Sequence, residues 1–270
     1  MVVGGIFDRP FPIISTVVLA PLPGSPKFLG DFDAVIERAV REAEELQELG
    51  VDGLIVENLG DAPYFKDRAP PETVACMARV LCELRRRVSI PFGVNVLRNC
   101  ARESLGLAYA FGGRFIRVNV LTEAYVTDQG IIEGVAAELM RVRRLIGGEH
   151  VKVFADVHVK HASPLLRRDI RESALDLVER GLADAVIVTG PRTGEPPSVD
   201  DLKSVRGVAP VLIGSGLNLE NVERLLPLAD GAIVGTYFRV GGRLGDRIDH
   251  ERVRLFMERV RRVRGRLVEG

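Results

Sequence analysis

Ionisable side chains alternate with apolar residues in two short segments of this 270-residue chain. Asp156, His158 and Lys160 occupy every second position of one segment, and Arg117 and Asn119 do so in the other. In an extended strand, such alternate residues project to the same face. A carboxylate, an imidazole and an amine can transfer protons, while a guanidinium or an amide can orient a substrate or stabilise developing negative charge. The two segments together predict a catalytic or ligand-binding site.

Four polar residues and one glycine lie at the ends of other hydrophobic runs. They are Glu57, Asn58, Asn95, Thr189 and Gly190. We take Glu57 as a fourth catalytic candidate and the other four as candidate substrate-binding groups, together with Arg117 and Asn119. A structural interpretation stays open, because a buried Arg117 needs a carboxylate, and Glu57 or Asp156 could serve only to neutralise it. Asn95 and Asn119 could likewise hydrogen-bond to loop backbone.

Two glycine-containing loops predict a phosphate site. Gly214, Ser215 and Gly216 follow one hydrophobic run, and Gly235 and Thr236 follow the next. Glycine lets the backbone turn tightly and approach an anion, and a short helix predicted to begin near Asn218 would add its N-terminal dipole. Two ordinary glycine turns are the alternative interpretation.

The segment 156–161 permits two other chemistries. Asp156, His158 and His161 could bind a metal ion, and Lys160 could form a Schiff base or contact a phosphate. His161 has the wrong strand parity for a shared face, so we favour acid/base or electrostatic work. We assign no metal ligands, although a divalent metal stays possible and the cofactor is unknown.

A repeated order of strand and helix must position these residues. Eight β-branched runs alternate with stretches of helical spacing, which predicts parallel strands. The predicted strands are 13–20, 53–58, 92–96, 115–120, 151–158, 185–190, 211–214 and 232–235. The predicted helices include 33–49, 71–88, 132–146, 170–180 and 250–263. Eight units and no GxGxxG after the first strand favour a (β/α)₈ TIM barrel of α/β class over an open doubly wound sheet, with residues 1–270 as one domain. The polar residues would then meet at the carboxyl ends of the strands.

Three connections are longer than simple turns require. They span residues 60–70, 121–130 and 191–197, and each is expected to form a lid that can reach a ligand. The proline-rich segment 21–26 is stiff and is expected to form a fixed wall of the pocket.

The composition excludes several kinds of partner. The 37 basic and 37 acidic residues cancel, so no net field attracts nucleic acid. No apolar run is long enough to span a membrane, and the three cysteines contain no CxxC pair, which together favour a cytoplasmic protein. Only five of the basic residues are lysine, and this arginine bias favours a thermophilic source. A homo-oligomer is the default expectation.

An ordered set of motifs extends along nearly the whole chain. The motifs are PLPGSP (21–26), VENLGDAPYF (56–65), GVNVLRN (93–99), FIRVNV (115–120), TDQGII (127–132), ADVHVKHA (155–162), VTGPRTG (188–194), IGSGLN (213–218) and DGAIVGTYF (230–238). This set resembles the BtpA (SgcQ-like) family of ribulose-phosphate-binding-type barrels. The resemblance implies a role in the biogenesis of a membrane complex, photosystem I, as a peripheral protein. Cys100 stands where the family has Asp.

Two functions follow as hypotheses. The first is an enzyme, an isomerase, epimerase or lyase, acting on a small phosphorylated sugar-like metabolite. The second is a noncatalytic factor that associates peripherally with a membrane complex and stabilises it.

Overall fold

Eight parallel strands close into a barrel in the computed structural model, which describes residues 3–268. The strands of the chain are β1 (Ile13–Val18), β2 (Gly53–Glu57), β3 (Phe92–Asn95), β4 (Phe115–Val118), β5 (Ala124–Thr127), β6 (Gly130–Glu133), β7 (Lys152–Val157), β8 (Ser163–Pro164), β9 (Ala185–Val188), β10 (Val211–Ile213) and β11 (Gly231–Val234). The order around the barrel is β1-β11-β10-β9-β7-β4-β3-β2, and β2 pairs again with β1. This closure confirms the (β/α)₈ prediction and excludes the open sheet.

Helices surround the barrel. They are α1 (Phe32–Glu48), α2 (Pro71–Arg87), α3 (Ala101–Phe111), α4 (Ala136–Leu145), α5 (Ile170–Leu175), α6 (Val199–Val205), α7 (Val222–Leu225) and α8 (His250–Val268). In α1, the side chain of Asp31 caps the N-terminus by accepting a 2.9 Å hydrogen bond from the backbone N–H of Ala34. The buried residues Ile36, Ala39, Ala43 and Leu46 recur at helical spacing and face the strands. Within residues 3–268, no helix is long and apolar enough to cross a membrane.

Side chains of one parity fill the interior of the barrel. Its amino-terminal half is apolar and contains Ile14, Ile55, Phe115, Phe154, Ile187, Leu212 and Ile233. Phe115 stacks on Phe154 with ring centroids 4.7 Å apart. A Cβ at Gly93, beside Phe115, would lie 2.3 Å from that ring, so glycine is required there. Two residues further along the strands, the same parity places polar side chains: Thr16, Glu57, Asn95, Arg117, Asp156 and Thr189.

The prediction that the connection 121–130 forms a lid is wrong in part. Its second half pairs with the following residues as the hairpin β5–β6, and β8 extends it to a three-stranded sheet. Tyr125 and Ile132 bury their side chains against Val159. Because Ile132 belongs to this strand, α4 begins at Ala136 rather than at the predicted residue 132. The segment 170–180 also differs from one regular helix, since α5 continues as a π-helical turn over Asp176–Arg180.

Candidate functional site

A cavity of about 810 Å³ opens at the carboxyl ends of the barrel strands, and we call it the main cavity. Its walls include Glu57, Tyr64, Asn95, Arg98, Arg117, Asn119, Asp128, Lys160, His161, Thr193, Thr236 and Arg243. Glu57 and Asn95 are the last residues of β2 and β3, and Arg117 lies in β4. The volume suits a small metabolite.

Beneath this cavity, Arg117 and Asp156 form a buried ion pair. The Nε and Nη2 atoms of Arg117 donate to the two carboxylate oxygens at 3.1 and 2.9 Å, and the Asn119 amide donates to the same carboxylate. Burial alone would lower the pKa of Arg117, but the charges of Asp156 and then Glu57 raise it. Asp156 accepts hydrogen bonds from both Arg117 and Asn119, and it is absent from the cavity wall. The geometry agrees with the interpretation that this carboxylate neutralises Arg117.

Glu57 differs from Asp156 because it faces the cavity. Its Oε1 atom accepts a 2.8 Å hydrogen bond from Asn95 and lies 3.7 Å from Nη1 of Arg117. Asn95 thus orients this carboxylate instead of satisfying loop backbone. The arrangement leaves Glu57 in the cavity wall with an opposite charge beside it.

Lys160 is a half-buried amine in the same wall. No carboxylate oxygen of residues 3–268 lies within the 4.0 Å of an ion pair from its Nζ atom. Burial, and then the charge of Arg117, lower its pKa to about 8. Part of the Lys160 population is consequently neutral near pH 8, so the amine can both accept and donate a proton there.

The placement predicted for His158 is wrong. β7 ends at Val157, and His158 adopts a left-handed conformation with φ 50°. Its Nε2 atom lies 3.4 Å from Oγ of Ser173 in α5, outside the cavity. The strand parity that seemed to exclude His161 fails for the same reason, and His161 lines the cavity with Nε2 2.8 Å from Oγ1 of Thr193.

This arrangement separates the possible metal ligands of segment 156–161. Asp156 is bound by Arg117, whereas His158 contacts Ser173 and His161 contacts Thr193. Throughout the described part of the chain, no three His, Cys, Asp or Glu side chains group as a metal site would require.

A second, smaller recess of about 40 Å³ adjoins the main cavity. We call it the glycine recess; its walls include Thr16, Gly194, Gly214, Ser215, Gly216, Gly235 and Thr236. All five predicted phosphate-binding residues therefore lie together. The two spaces adjoin, because both are lined by Glu57, Arg117, Lys160, Thr193 and Thr236.

Close packing explains two glycines of the recess. A Cβ at Gly216, where φ is 71°, would lie 2.1 Å from the backbone nitrogen of Pro196. A Cβ at Gly235 would instead lie 2.8 Å from Oγ1 of Thr16 and 2.9 Å from the Leu244 side chain, both of which line the recess. Gly216 thus accommodates the neighbouring loop, whereas Gly235 keeps the recess open.

Three of the predicted substrate-binding residues, Asn58, Thr189 and Gly190, lie outside the walls of the main cavity and the glycine recess. Oγ of Ser215, itself in the recess wall, accepts from the Gly190 backbone and donates to the Glu195 carbonyl at 2.7 Å, which fixes the connection 191–197. Asn58 accepts a 2.8 Å hydrogen bond from the Leu97 backbone. The Oγ1 atom of Thr189 is buried and has no hydrogen-bond partner among the described residues.

The helix predicted to begin near Asn218 is also misplaced. The Asn218 side chain accepts from the backbone N–H groups of Glu220 and Asn221, which forms a turn. α7 begins only at Val222 and has four residues. It does not supply the N-terminal dipole expected at the recess.

Some lining residues were missed. Thr16 has the parity of the interior residue Ile14, so the alternation rule would have found it. Arg98 lies three residues after the end of β3, in an irregular loop. The alternation rule of a strand does not apply there, so the direction of this side chain could not be predicted. Tyr64, Asp128 and Thr193 come from the three connections expected to reach a ligand, and all three line the main cavity.

Comparison with known proteins identifies relatives over nearly the full chain. A protein of Thermococcus kodakarensis is 48% identical over 260 residues, covering 96% of this chain and 98% of the relative. The photosystem I biogenesis protein BtpA of Synechocystis is 45% identical over 255 residues, covering 93% and 88%.

The fold is also found among solved barrels. The structure of N-(5'-phosphoribosyl)anthranilate isomerase from Pyrococcus furiosus superposes with a TM-score of 0.57 at 16% identity, covering 93% of this chain and 99% of that one. At this identity the likeness shows the fold. The BtpA family model matches residues 9–262. The chain therefore belongs to the BtpA family.

Proposed function

We propose that this chain is an enzyme acting on a small phosphorylated, sugar-like metabolite by isomerase, epimerase or lyase chemistry. One observation carries the proposal: Glu57, Arg117 and Lys160 line both the main cavity and the glycine recess. Groups that can move protons and stabilise negative charge thus stand beside a recess whose backbone suits an anion.

The glycine recess binds the phosphate in this proposal. Backbone N–H groups of residues 215–216 and 235–236 donate to its oxygens, as at other barrel phosphate sites, whereas the N–H group of Gly214 already donates to the Val188 carbonyl at 2.8 Å. Thr16 adds a hydroxyl whose Oγ1 atom is buried and has no partner among the described residues. A buried hydroxyl without a hydrogen bond is costly, so a ligand oxygen would satisfy it.

Glu57 and Lys160 transfer protons at the carbon next to a carbonyl group. The carboxylate of Glu57 accepts the proton from carbon, and the ammonium of Lys160 donates a proton to the carbonyl oxygen in an isomerisation or to the opposite face of the same carbon in an epimerisation. Arg117 stabilises the enolate charge that develops between these steps. Asp156 and Asn119 act through Arg117, because they hold its guanidinium in place.

The structural neighbours support this class of substrate. The enzyme from Pyrococcus furiosus is named for a phosphoribosyl substrate, and it shares the barrel fold with this chain. A fold alone does not determine a reaction, so the assignment rests on the site residues.

Thermal stabilisation by a panel of sugar phosphates tests the proposal. Ligands at 100 times their Kd add about 2.7 kcal/mol of stability, which gives a shift of several degrees. Gly235→Ala should abolish the shift, because its Cβ enters the recess near Thr16. Gly106→Ala is the matched control: this glycine is exposed in α3, and an added Cβ meets no atom within 4 Å. No shift with any sugar phosphate would refute the proposal.

The name of the Synechocystis relative favours a second candidate, a peripheral factor in membrane-complex biogenesis. The two candidate functions can be separated in Synechocystis cells whose only BtpA-family protein is this chain with Gly235→Ala, by measuring how much photosystem I accumulates. Normal accumulation would favour the noncatalytic role, and loss of accumulation would show that it depends on the bound ligand.

Homo-oligomerisation of this chain stays a prediction, which light scattering tests.

A further inference from the structure

Arg98 is a buried cation that the protein leaves without a carboxylate. It follows β3, it is 8% exposed, and it lines the main cavity. One N–H group, on Nη2, donates to the Lys160 carbonyl at 2.8 Å. No carboxylate oxygen within the described range 3–268 approaches the guanidinium to the 4.0 Å of an ion pair. Burial lowers the pKa of Arg98, and the more distant negative charge of Asp156 only partly opposes this effect.

The other buried arginines are all paired. Among residues 3–268 they are Arg117 with Asp156, Arg239 with Glu42, and Arg264 with Asp52. An unpaired buried charge costs several kcal/mol, so proteins usually supply a counterion. Arg98 departs from that pattern in the wall of the main cavity, where a ligand can supply the counterion.

The position of Arg98 separates it from the glycine recess. In the closed order of the barrel, β3 and β10 are four strands apart in either direction, so they stand on opposite sides. Arg98 follows β3, and the loop 214–216 follows β10. Lys160 and Arg117 line both spaces and therefore lie between the two ends.

We propose that Arg98 binds a carboxylate of the ligand, so that the substrate is a phosphorylated sugar acid with its phosphate in the glycine recess and its carboxylate across the cavity. This inference rests on the proposed function. A carboxylate suits the site better than a second phosphate, because the single positive charge of one guanidinium neutralises the single negative charge of a carboxylate. Asp128, also in the cavity wall, would repel the larger negative charge of a phosphate more strongly. The carbons between the two anionic groups would then pass Lys160 and Glu57.

Matched ligand pairs test this inference on the native protein. 6-Phosphogluconate and sorbitol 6-phosphate have the same carbon number and differ at the end remote from the phosphate, as do 3-phosphoglycerate and glycerol 3-phosphate. Titration calorimetry should give at least tenfold tighter binding of the acid in one pair. Equal affinities in both pairs would overturn the inference while leaving the phosphate site intact. No binding of any of the four would overturn the proposed function as well.

Variants locate the preference. Arg98→Gln should remove the advantage of the acid and leave the affinity for the matched neutral-ended phosphate within twofold, and Arg98→Lys should retain part of the advantage. Arg243 is the competing cation, because it lines the same cavity with its side chain 82% exposed. Loss of the preference in Arg243→Gln but not in Arg98→Gln would overturn the assignment.

Discussion

Two groups of polar side chains share the carboxyl end of the barrel, and they differ in whether the protein itself satisfies them. In the first group, Asp156 neutralises Arg117 and accepts a hydrogen bond from Asn119, whose own Oδ1 atom has no partner among the described residues. Lys160 and Arg98 face the cavity with no carboxylate within ion-pair distance among residues 3–268. In the first group, the charges of Arg117 and Asp156 are neutralised within the protein. The second group costs stability, and a bound ligand would explain why it is there.

The comparison assigns different tasks to residues of similar type. Asp156 and Glu57 are both buried carboxylates near Arg117, but only Glu57 lines the cavity. Asp156 therefore positions Arg117, and Glu57 is available to a substrate. Removing a member of the paired group should lower stability, whereas removing an unpaired group should lower affinity without that loss.

Asp156→Asn should have the largest effect on stability. The change leaves the buried Arg117 with only Glu57, 3.7 Å away, as its counterion. Breaking a buried pair from one side costs about 3–5 kcal/mol, and denaturant unfolding measures it. Asp128→Asn is the control, because Asp128 is exposed and should change stability by less than about 0.5 kcal/mol. Equal losses of stability in the two variants would show that Asp156 contributes no more to stability than an exposed carboxylate does.

Lys160→Met should alter how stability depends on pH. The pKa of Lys160 is about 8 in the folded protein against an ordinary value of 10.5. Below pH 8 both states are protonated, and the folded protein carries the full cost of the buried charge. As the pH rises from 8 to 10.5, the folded protein loses that proton first, so its unfolding free energy rises.

The difference between native protein and Lys160→Met isolates this effect from other titrating groups. Relative to the variant, the native protein should gain about 2–3 kcal/mol between pH 7.5 and pH 10. Urea unfolding at several pH values measures the gain. A constant difference would show that Lys160 has an ordinary pKa.

Thr16→Val should raise stability by about 1 kcal/mol in the absence of ligand. Valine has the same shape as threonine and removes the buried hydroxyl that lacks a partner. The same change should weaken binding of a sugar phosphate about tenfold, because the ligand loses that hydrogen bond. A destabilised variant would indicate that Thr16 already has a partner.

The two histidines should show the smallest effects. His161→Gln should weaken ligand binding about threefold to tenfold, because His161 lines the cavity and holds Thr193. His158→Gln should leave affinity unchanged, because His158 contacts Ser173 outside the cavity. Titration of both variants with one sugar phosphate checks this, and the reverse order would contradict the placement.

Regular periodicity explains what the sequence could predict. The barrel followed from eight alternating units, and strand parity correctly placed Glu57, Asn95 and Arg117 inside it. Strand parity does not apply beyond the end of a strand. For this reason the residue predicted to line the site after β7, His158, lies outside the cavity, whereas His161 lines it. The hairpin β5–β6 was missed because its apolar residues also fit the start of a helix.

Contacts between distant loops were beyond the reach of the sequence. Gly216 was expected to approach a ligand, but its missing side chain makes room for Pro196. Arg98 is recognised as exceptional only in the folded structure, where each of the other buried arginines of residues 3–268 has a carboxylate partner. Burial and pairing are properties of the folded chain.

Deuterium incorporation in D₂O, followed by proton NMR, tests whether Glu57 and Lys160 transfer protons at a carbon of the ligand. The ligand is the sugar phosphate that stabilises the protein most. The native protein should catalyse exchange of a carbon-bound hydrogen of that ligand, and Glu57→Gln and Lys160→Met should slow the exchange about 100-fold or more. His158→Gln should exchange at the native rate. Tight binding without exchange by the native protein would contradict the assignment of Glu57 and Lys160 to proton transfer.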